Sequence, residues 1–568
     1  MYQISLVILL FFQGYFLIGQ NLEFTQVNTK LYKNHSAENT QVLLDTWLND
    51  QKIELKNNLS FHLLAEHKTS KAIYYRYQLV VNSIPVYAKQ VLVKHDLLKE
   101  STLISSSKYS FNLPNIEAKN ADYWYNFNST LIPIYRNKEK SKHEVLIYQN
   151  TEYDIKLTES TISNKKDSLI TVQVFYPDPI TSSKHNYGIP YADLNDTINT
   201  DLLAEHFLKN MNASFDKDTF KLESDYFKIN EHSKPIDTIW YSLIDSAIYD
   251  RSAPNFEAIN ISFHLNEFRK YLKNLGYQQL GNRQILVDPH GFEGADLSSF
   301  NNLTQPVMLT FGTGGVDDGE DAGIIIHEYT HNLTDHASPK SNLGSQRVAI
   351  DEGICDYVAA SYMRGISEHR WQDLFKWDGH NEFWAGRTID FSVQYPNDTN
   401  GNIYETGGII SATLMELWGK IGKSKLDSLV FESMYSLMPN MNLLDYANVL
   451  VQTEDLLFAG AYKAEVCEAL NDHGLGKPCF ESSIAHSAAL KPIVLNSEGF
   501  AKGVSKLTIL TKSKQVEFEV SNIKGETLFQ GTGENHEISL SPLPFSSTLL
   551  IISIQGVNQT SFLKVQRY

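Results

Sequence analysis

The sequence predicts a multidomain α+β protein, and three observations carry that class. Period-2 alternation of apolar residues marks residues 21 to about 180, helical spacing takes over in the middle, and short strand-like runs return after residue 490. A chain of 568 residues exceeds one ordinary core and implies about three or four folding units. Hydrophobic residues make up 42% and charged residues 20%, which fits a globular chain and not a disordered one. The net charge of −17 argues against nucleic acid or an anionic membrane as the main partner, since both reward positive patches.

Residues 1–20 have the pattern of a secretory leader. Leu6 to Phe12 form an apolar run, and Gly19-Gln20 offers a small-residue exit, although no Lys or Arg precedes the run. A membrane anchor is the other reading, but Gln13 and Gly14 interrupt a span already short for a crossing. The expectation is export to the cell surface or medium, with no stable membrane insertion once the leader is removed.

Residues 21–180 read as β-rich. Ile73 to His95 gives two strand-like runs joined by a turn at Asn82-Ser83, and Val145–Leu157 and Leu169–Val174 continue the pattern. Nothing here has catalytic spacing, so the region reads as structural or inhibitory. Pro177 to Pro190 is rich in Pro, Ser and Thr and marks the expected boundary. Phe256–Tyr277 carries Ile261, Leu265, Phe268 and Leu272 at helical spacing, with His264 as a structural residue. Pro306–Phe311 is a short apolar strand, and Gly312–Gly315 lacks the Gly-Lys-Ser/Thr ending of a phosphate loop and reads as a turn.

The central motif is His327-Glu328-Tyr-Thr-His331. On a helix the spacing sets both imidazoles on one face, one turn apart, where they can chelate one zinc ion. Glu328 then lies where a carboxylate can take a proton from an attacking water. Asp317, Asp318, Glu320 and Asp321 crowd the start of this helix. Their plain role is charge at a helix N-terminus, and the sharper reading is a calcium site.

A hydrolytic zinc site needs a third protein ligand. The H-E-x-x-H-x-x-G-x-x-H solution fails, because Thr334 and Ala337 stand at the Gly and His positions and His336 is one residue out of place. The other common solution takes a Glu from a second helix about 20 residues on. Glu352 lies 352 − 331 = 21 residues after His331, with Asp356 at i+4 and Asp351 adjoining, inside a helix otherwise built of Val348, Ile350, Ile354, Val358 and Ala359. Unpaired acids in that setting would be costly to bury. Glu352 is read as ligand and Asp356 as its supporting carboxylate, while Asp351 can orient the other histidine. Cys355 reads as a small buried residue.

With both segments in view, the chain resembles the gluzincin metalloproteases of the thermolysin and fungalysin group, closest to secreted bacterial fungalysin-like members. The resemblance is specific over about residues 310–420 and is carried by His327-Glu328-Tyr-Thr-His331, Asp351-Glu352-Gly-Ile-Cys-Asp356 and Phe311–Gly323. It implies one zinc bound by His327, His331 and Glu352, Glu328 as general base, and Asp356 orienting His327. It also implies a thermolysin-like catalytic domain with a mixed-sheet lobe, a helical lobe and the motif helix between them. Polypeptides are the implied substrates. Ser83-Ile84-Pro85-Val86 and Val174–Pro179 resemble the proregion of such proteases, so the chain's own N-terminal part is the implied intramolecular inhibitor of a zymogen.

The family places a histidine that stabilises the oxyanion where this chain has Tyr404, in Ile403–Trp418. A phenol can donate the same hydrogen bond. Arg387 resembles the arginine that binds the substrate carbonyl, and Pro306–Phe311 is the expected sheet edge for an extended peptide. A second functional reading, of another class, is a zinc-holding chain with impaired catalysis that serves as a surface binding or adhesion module.

Leu443–Leu470 reads as helical and closes this part near Gly474–Pro478. The strand runs beyond Pro492 predict a β-sandwich that resembles the C-terminal sorting domain of type IX secretion, chiefly in Ile523–Thr527 and Phe562–Gln566, without the usual Pro-Asn-Pro opening. The expected organisation is leader 1–20, proregion 21–180, zinc peptidase domain 181–485 and β-sandwich 490–568. Cys467 and Cys479 are near enough to bridge in an oxidising compartment, leaving Cys355 free.

Overall fold

The computed structural model describes residues 59–99, 101–107, 166–216, 219–236 and 246–479, a few positions of 40–47, and strand segments elsewhere between 27 and 566. The leader and the Val145–Leu157 run lie outside the described residues. The chain falls into two compact units, residues 1–476 and 477–568.

The first unit opens with an antiparallel sheet of β1 (Val27–Lys33), β2 (Leu59–Lys68), β3 (Ala72–Val81), β4 (Ile84–Asp96) and β5 (Ser101–Ser107), in the order β1-β5-β4-β3-β2. β6 (Tyr123–Phe127) and β7 (Thr130–Ile134) join it through a parallel bridge to β4. The β3–β4 hairpin turns at Asn82 and Ser83, as the sequence predicts. Both have positive φ (51° and 64°), the two-residue geometry whose twist matches antiparallel strands. One face of β3 is unusual: Tyr74, Arg76 and Gln78 alternate into buried positions. Buried polar groups need partners, and a later helix and its C-cap supply them to Tyr74 and Arg76, through Glu432 and the Tyr435 carbonyl.

Next come β8 (Lys166–Phe175), β9 (His206–Asp216), β10 (Thr219–Lys221), β11 (Phe227–Ile229) and β12 (Ser246–Ala247), with β10-β9-β8-β12 forming one sheet. The Pro177–Pro190 stretch does not run free after β8, since Ile180 is buried with Leu202, Val316 and Trp377. Helix α1 (Asn255–Asn274) lies where helical spacing predicts, but it buries polar residues as well as its apolar stripe. Asn260 accepts from Phe175 N at 3.1 Å, and His264 bridges the Phe175 carbonyl and the Tyr362 hydroxyl, which is the structural role expected for it.

A second sheet runs β11-β13-β15-β14, with β13 (Ile285–Gly291) and β15 (Met308–Gly312) parallel and β14 (Ser298–Asn301) antiparallel at the margin. This corrects one expectation. The 306–311 strand pairs on both sides, so β14 is the edge beside the motif helix.

The helical part comprises α2 (Ala322–Ala337), α3 (Ser345–Ile366), α4 (Ile403–Ile421), α5 (Lys423–Met434), α6 (Leu443–Phe458) and α7 (Lys463–Asp472), with the small β16 (Asp373–Leu374) and β17 (Arg387–Thr388) pair between α3 and α4. α2 is buried along nearly its whole length. α3 and α4 meet at two glycines: a Cβ on Gly353 would come within 2.4 Å of the Gly407 carbonyl, and one on Gly407 within 2.7 Å of the Ala349 carbonyl. That backbone contact carries the start of α4 to the residue beside Glu352. Among the described residues no helix is long and apolar enough to cross a membrane. Cys467 and Cys479 are disulfide-bonded and Cys355 is a buried free thiol.

The second unit is strand-rich, as its sequence predicts. β18 (Ile493–Val494), β19 (Leu507–Leu510), β20 (Gln515–Asn522), β21 (Thr527–Glu534), β22 (Glu537–Leu540), β23 (Leu549–Gln555) and β24 (Thr560–Gln566) pair antiparallel in one ladder, β18-β19-β22-β21-β20-β23-β24.

Candidate metal centre

α2 begins at Asp321, whose side chain caps it by accepting from Gly323 N at 2.7 Å and also takes Trp377 N at 3.0 Å. The cap and the buried Ile324–Ile326 run fix the helix before its first histidine. One turn apart, the rings of His327 and His331 lie 5.0 Å between centroids and near perpendicular. Both Nε2 atoms face Glu352 of α3: His327 Nε2 is 3.3 Å from Oε2 and His331 Nε2 is 3.8 Å from Oε1.

The opposite ring nitrogens are each held by a carboxylate. His327 Nδ1 lies 2.9 Å from Asp356 Oδ1, and His331 Nδ1 donates to Asp351 Oδ2 at 2.6 Å. Asp351 is in turn gripped by Arg347 one turn earlier, at 3.0 Å, with both side chains almost fully buried. A carboxylate on Nδ1 fixes the tautomer that leaves Nε2 as the free lone pair.

The electrostatics follow from this pairing. Burial alone would depress His327, but Asp356 and Glu352 more than offset it and its affinity for a proton is raised. His331 is raised well above the ordinary histidine range, its burial outweighed by Cys355, Glu352 and Asp351. Burial pushes Asp351 upward, yet Arg347 and His331 hold it far below the usual carboxylate range, and Glu352 is lowered by His331 and His327 against its own burial. The two rings and Glu352 therefore form a buried group that stabilises added positive charge.

The donor set fits a zinc ion. Glu352 Oε2 is buried with no hydrogen-bond partner, and two imidazole nitrogens face the same carboxylate. Cys355 Sγ is 3.3 Å from His331 Nδ1, the nitrogen already given to Asp351, and burial pushes its thiol well up. His327, His331 and Cys355 do lie close enough to share an ion. A protonated thiol behind the ring is nonetheless a poorer ligand than the Glu352 carboxylate in front of it.

Around this centre the structure brings the other expected residues together. Glu328 Oε1 accepts from Ser298 Oγ of the edge strand β14 at 3.1 Å. Arg387 Nη2 lies 3.0 Å from Asp356 Oδ1, and its guanidinium carbon sits 4.9 Å from the Phe375 and Tyr404 ring centroids and 5.7 Å from Trp384. Tyr404 is the second residue of α4, with its main-chain N–H capped by Asn402 at 2.9 Å and 46% of its surface exposed. Its phenol is raised by burial and by Glu352 and Glu328, so it stays a donor above the usual tyrosine range. Ser298, Phe375 and Trp384 were not foreseen. They come from loops and a strand with no spacing relation to the motif, and no pattern in the sequence marks them.

The four acids ahead of α2 do not form one cluster, which corrects the calcium expectation as drawn from them. Glu320 is taken by Arg251 and by Trp377 Nε1 at 2.8 Å, and Asp321 is the helix cap. A tight turn at Asp318–Glu320 splays successive side chains apart. Asp318 instead meets Asp296 and Asp378 from two other loops, their oxygens within 4.8 Å of one another.

No family model matches the chain. The chain is 21% identical over 296 residues to extracellular metalloproteinase MEP of Pyricularia oryzae (strain 70-15), covering 42% of this chain and 47% of that protein. It thus spans about half the length of the curated relative it matches. Among solved structures it aligns with the complex of Porphyromonas gingivalis RgpB pro- and mature domains at 11% identity, over 54% of this chain and 63% of that one, with a TM-score of 0.12 that carries no structural argument. The site thus stands beside a distant homology to an extracellular metalloproteinase.

Proposed function

We propose that this chain is a secreted zinc-dependent endopeptidase of the gluzincin type, made as a zymogen. The observation that carries the reading is the pair of imidazoles whose Nε2 atoms face the buried Glu352 carboxylate while Asp356 and Asp351 occupy their Nδ1 atoms. The distant homology to an extracellular metalloproteinase supports it. His327, His331 and Glu352 would hold the zinc. Bound there, zinc would supply Lewis-acid polarisation of a water and of the scissile carbonyl.

The remaining work falls to the chain's own side chains. Ser298 engages Glu328 Oε1, which leaves Oε2 to take a proton from the attacking water and deliver it to the leaving amine nitrogen. Tyr404 donates its phenolic proton to the carbonyl oxygen as charge develops there. Arg387, steadied by Asp356 and by three aromatic rings, binds a neighbouring substrate carbonyl. β14 offers its open edge to an extended peptide.

The domain assignment is part of the proposal: leader 1–20, inhibitory proregion 21–180, peptidase domain 181–485 and a C-terminal sorting β-sandwich 490–568. A calcium ion, if bound, is better served by Asp296, Asp318 and Asp378 than by the run 317–321. The test is hydrolysis of an unfolded protein before and after proteolytic removal of the N-terminal region ahead of β8, with metal analysis of the same sample. One zinc per chain and chelator-sensitive cleavage after removal are expected. One zinc with no cleavage would leave the binding-module reading in its place.

A further inference from the structure

Two histidines from distant parts of the first unit meet outside the metal centre. His67, near the end of β2, and His336, in the last turn of α2, lie 5.1 Å between ring centroids. His67 also packs 5.2 Å from Tyr435, which stacks on Tyr74 of β3. His67 Nε2 is buried with no hydrogen-bond partner. His336 Nδ1 accepts from Gly281 N at 3.2 Å, a bond that exists only while that nitrogen carries no proton.

The charges facing this pair are positive. Arg76 of β3 acts on His67, and Arg269 of α1 and Arg283 of the following turn act on His336. The acids nearby are engaged: Glu432 of α5 accepts from Tyr74 and Thr69 at 2.7 and 2.8 Å, and Asp335 pairs with Arg283 at 2.8 Å. Burial, then Arg76, pushes His67 down to about 4, with a hydrogen bond to the His336 main chain as a partial offset. Burial, then His67 and the two arginines, pushes His336 down to about 3.

We propose that the His67–His336 contact is an acid-sensitive latch, closed at neutral pH, that loosens the N-terminal sheet from the end of α2 when the surroundings acidify. As a control on activity it rests on the reading of that sheet as an inhibitory region. In the closed state both rings must be neutral. Once the contact opens, each returns toward an ordinary histidine value near 6.5 and takes up a proton. The open state therefore binds more protons between about pH 6.5 and 4, and acid favours it. Gln90, bonded to the Pro339 carbonyl at 3.2 Å, and Arg76, bonded to the Tyr435 carbonyl at 3.1 Å, are the neighbouring contacts that would open with it.

The test is hydrogen exchange on the full zinc-loaded chain carrying Glu328→Ala, which prevents self-cleavage, at pH 7.5, 6.0 and 5.0 after correction for intrinsic rates. Opening of peptides from 59–96 and 431–441 should rise on the order of tenfold per histidine between pH 7.5 and 5.0, while peptides from 407–418, which hold no histidine, stay protected. Adding His67→Phe and His336→Phe, which keep aromatic packing without a titrating nitrogen, should remove the pH response. An unchanged response in that variant, or simultaneous opening of all peptides, overturns the proposal. Should the double variant not fold, His67→Gln alone should lose about tenfold of the response, and retention of the full response overturns it equally. Proteolytic activity is read separately: acid opening without any rise in activity leaves the latch standing and removes the inhibitory reading of the N-terminal sheet.

Discussion

His331 and His336 stand on the same helix, a little over one turn apart, and their surroundings are opposite in sign. His331 faces Asp351 and Glu352 from α3, and its proton affinity is raised far above the ordinary value. His336 faces His67, Arg269 and Arg283, and its affinity is driven down to about 3. Both rings lose water, which by itself disfavours the charged form of each. The partner charges decide the outcome. One turn of α2 is thus prepared to share a cation, while the next excludes even a proton.

Removing the base should leave the carboxylate-lined turns structurally intact and chemically silent. Glu328→Ala is expected to lower kcat about 10³–10⁴-fold with zinc content unchanged, measured on the processed chain. Loss of zinc in that variant would mean that Glu328 helps to hold the metal.

The Arg347–Asp351–His331 line can be broken next. Asp351→Ala leaves the Arg347 guanidinium buried without its carboxylate and should cost about 3–5 kcal/mol in denaturant unfolding. The same change should weaken zinc binding about 10–100-fold in a competition titration. If zinc affinity is untouched, His331 does not need Asp351 to hold its tautomer.

His264 shows burial with no carboxylate to oppose it, and Lys209 adds to the fall. Its pKa lies at about 4, set by burial first, with the Phe175 carbonyl as a partial offset. The unfolded chain binds a proton there near the ordinary 6.5, so stability is complete above that pH and is lost as pH falls toward 4. The loss is at most about 3 kcal/mol, read as the difference in unfolding free energy between pH 7 and 4.5 for the native chain and for His264→Gln. The glutamine variant should show the shallower slope.

The smallest expected effect is at Tyr404. Tyr404→Phe should reduce kcat about 10–100-fold and leave KM nearly constant, because one donor to a developing charge is lost while substrate contacts remain. A variant as active as the native chain would remove Tyr404 from the mechanism.

How much of this was legible in advance varies by element. The β3–β4 hairpin, α1, α2 and α3 were readable because their apolar period and turn residues are local properties. That His327 and His331 share a face was readable because helical spacing converts sequence distance directly into one. The edge strand was misassigned, since which side of Met308–Gly312 stays open depends on where Ser298–Asn301 returns. The calcium expectation failed similarly. Acids that are neighbours in sequence leave a tight turn in different directions, and Asp318 finds Asp296 and Asp378 instead.

By itself, then, the sequence determined the α+β class, the motif helix and the distance at which Glu352, Asp351 and Asp356 follow it. Those are periodicities of a single chain segment, or of two segments joined by a short connection. Only the tertiary structure decided which carboxylate serves which imidazole nitrogen, that Gly353 and Gly407 let Tyr404 approach Glu352, and that Ser298 reaches Glu328. It also decided that His336, five residues after His331 on the same helix, sits among arginines. Charge and burial at a buried ring are set by groups that arrive from elsewhere in the fold, and no local pattern encodes their arrival.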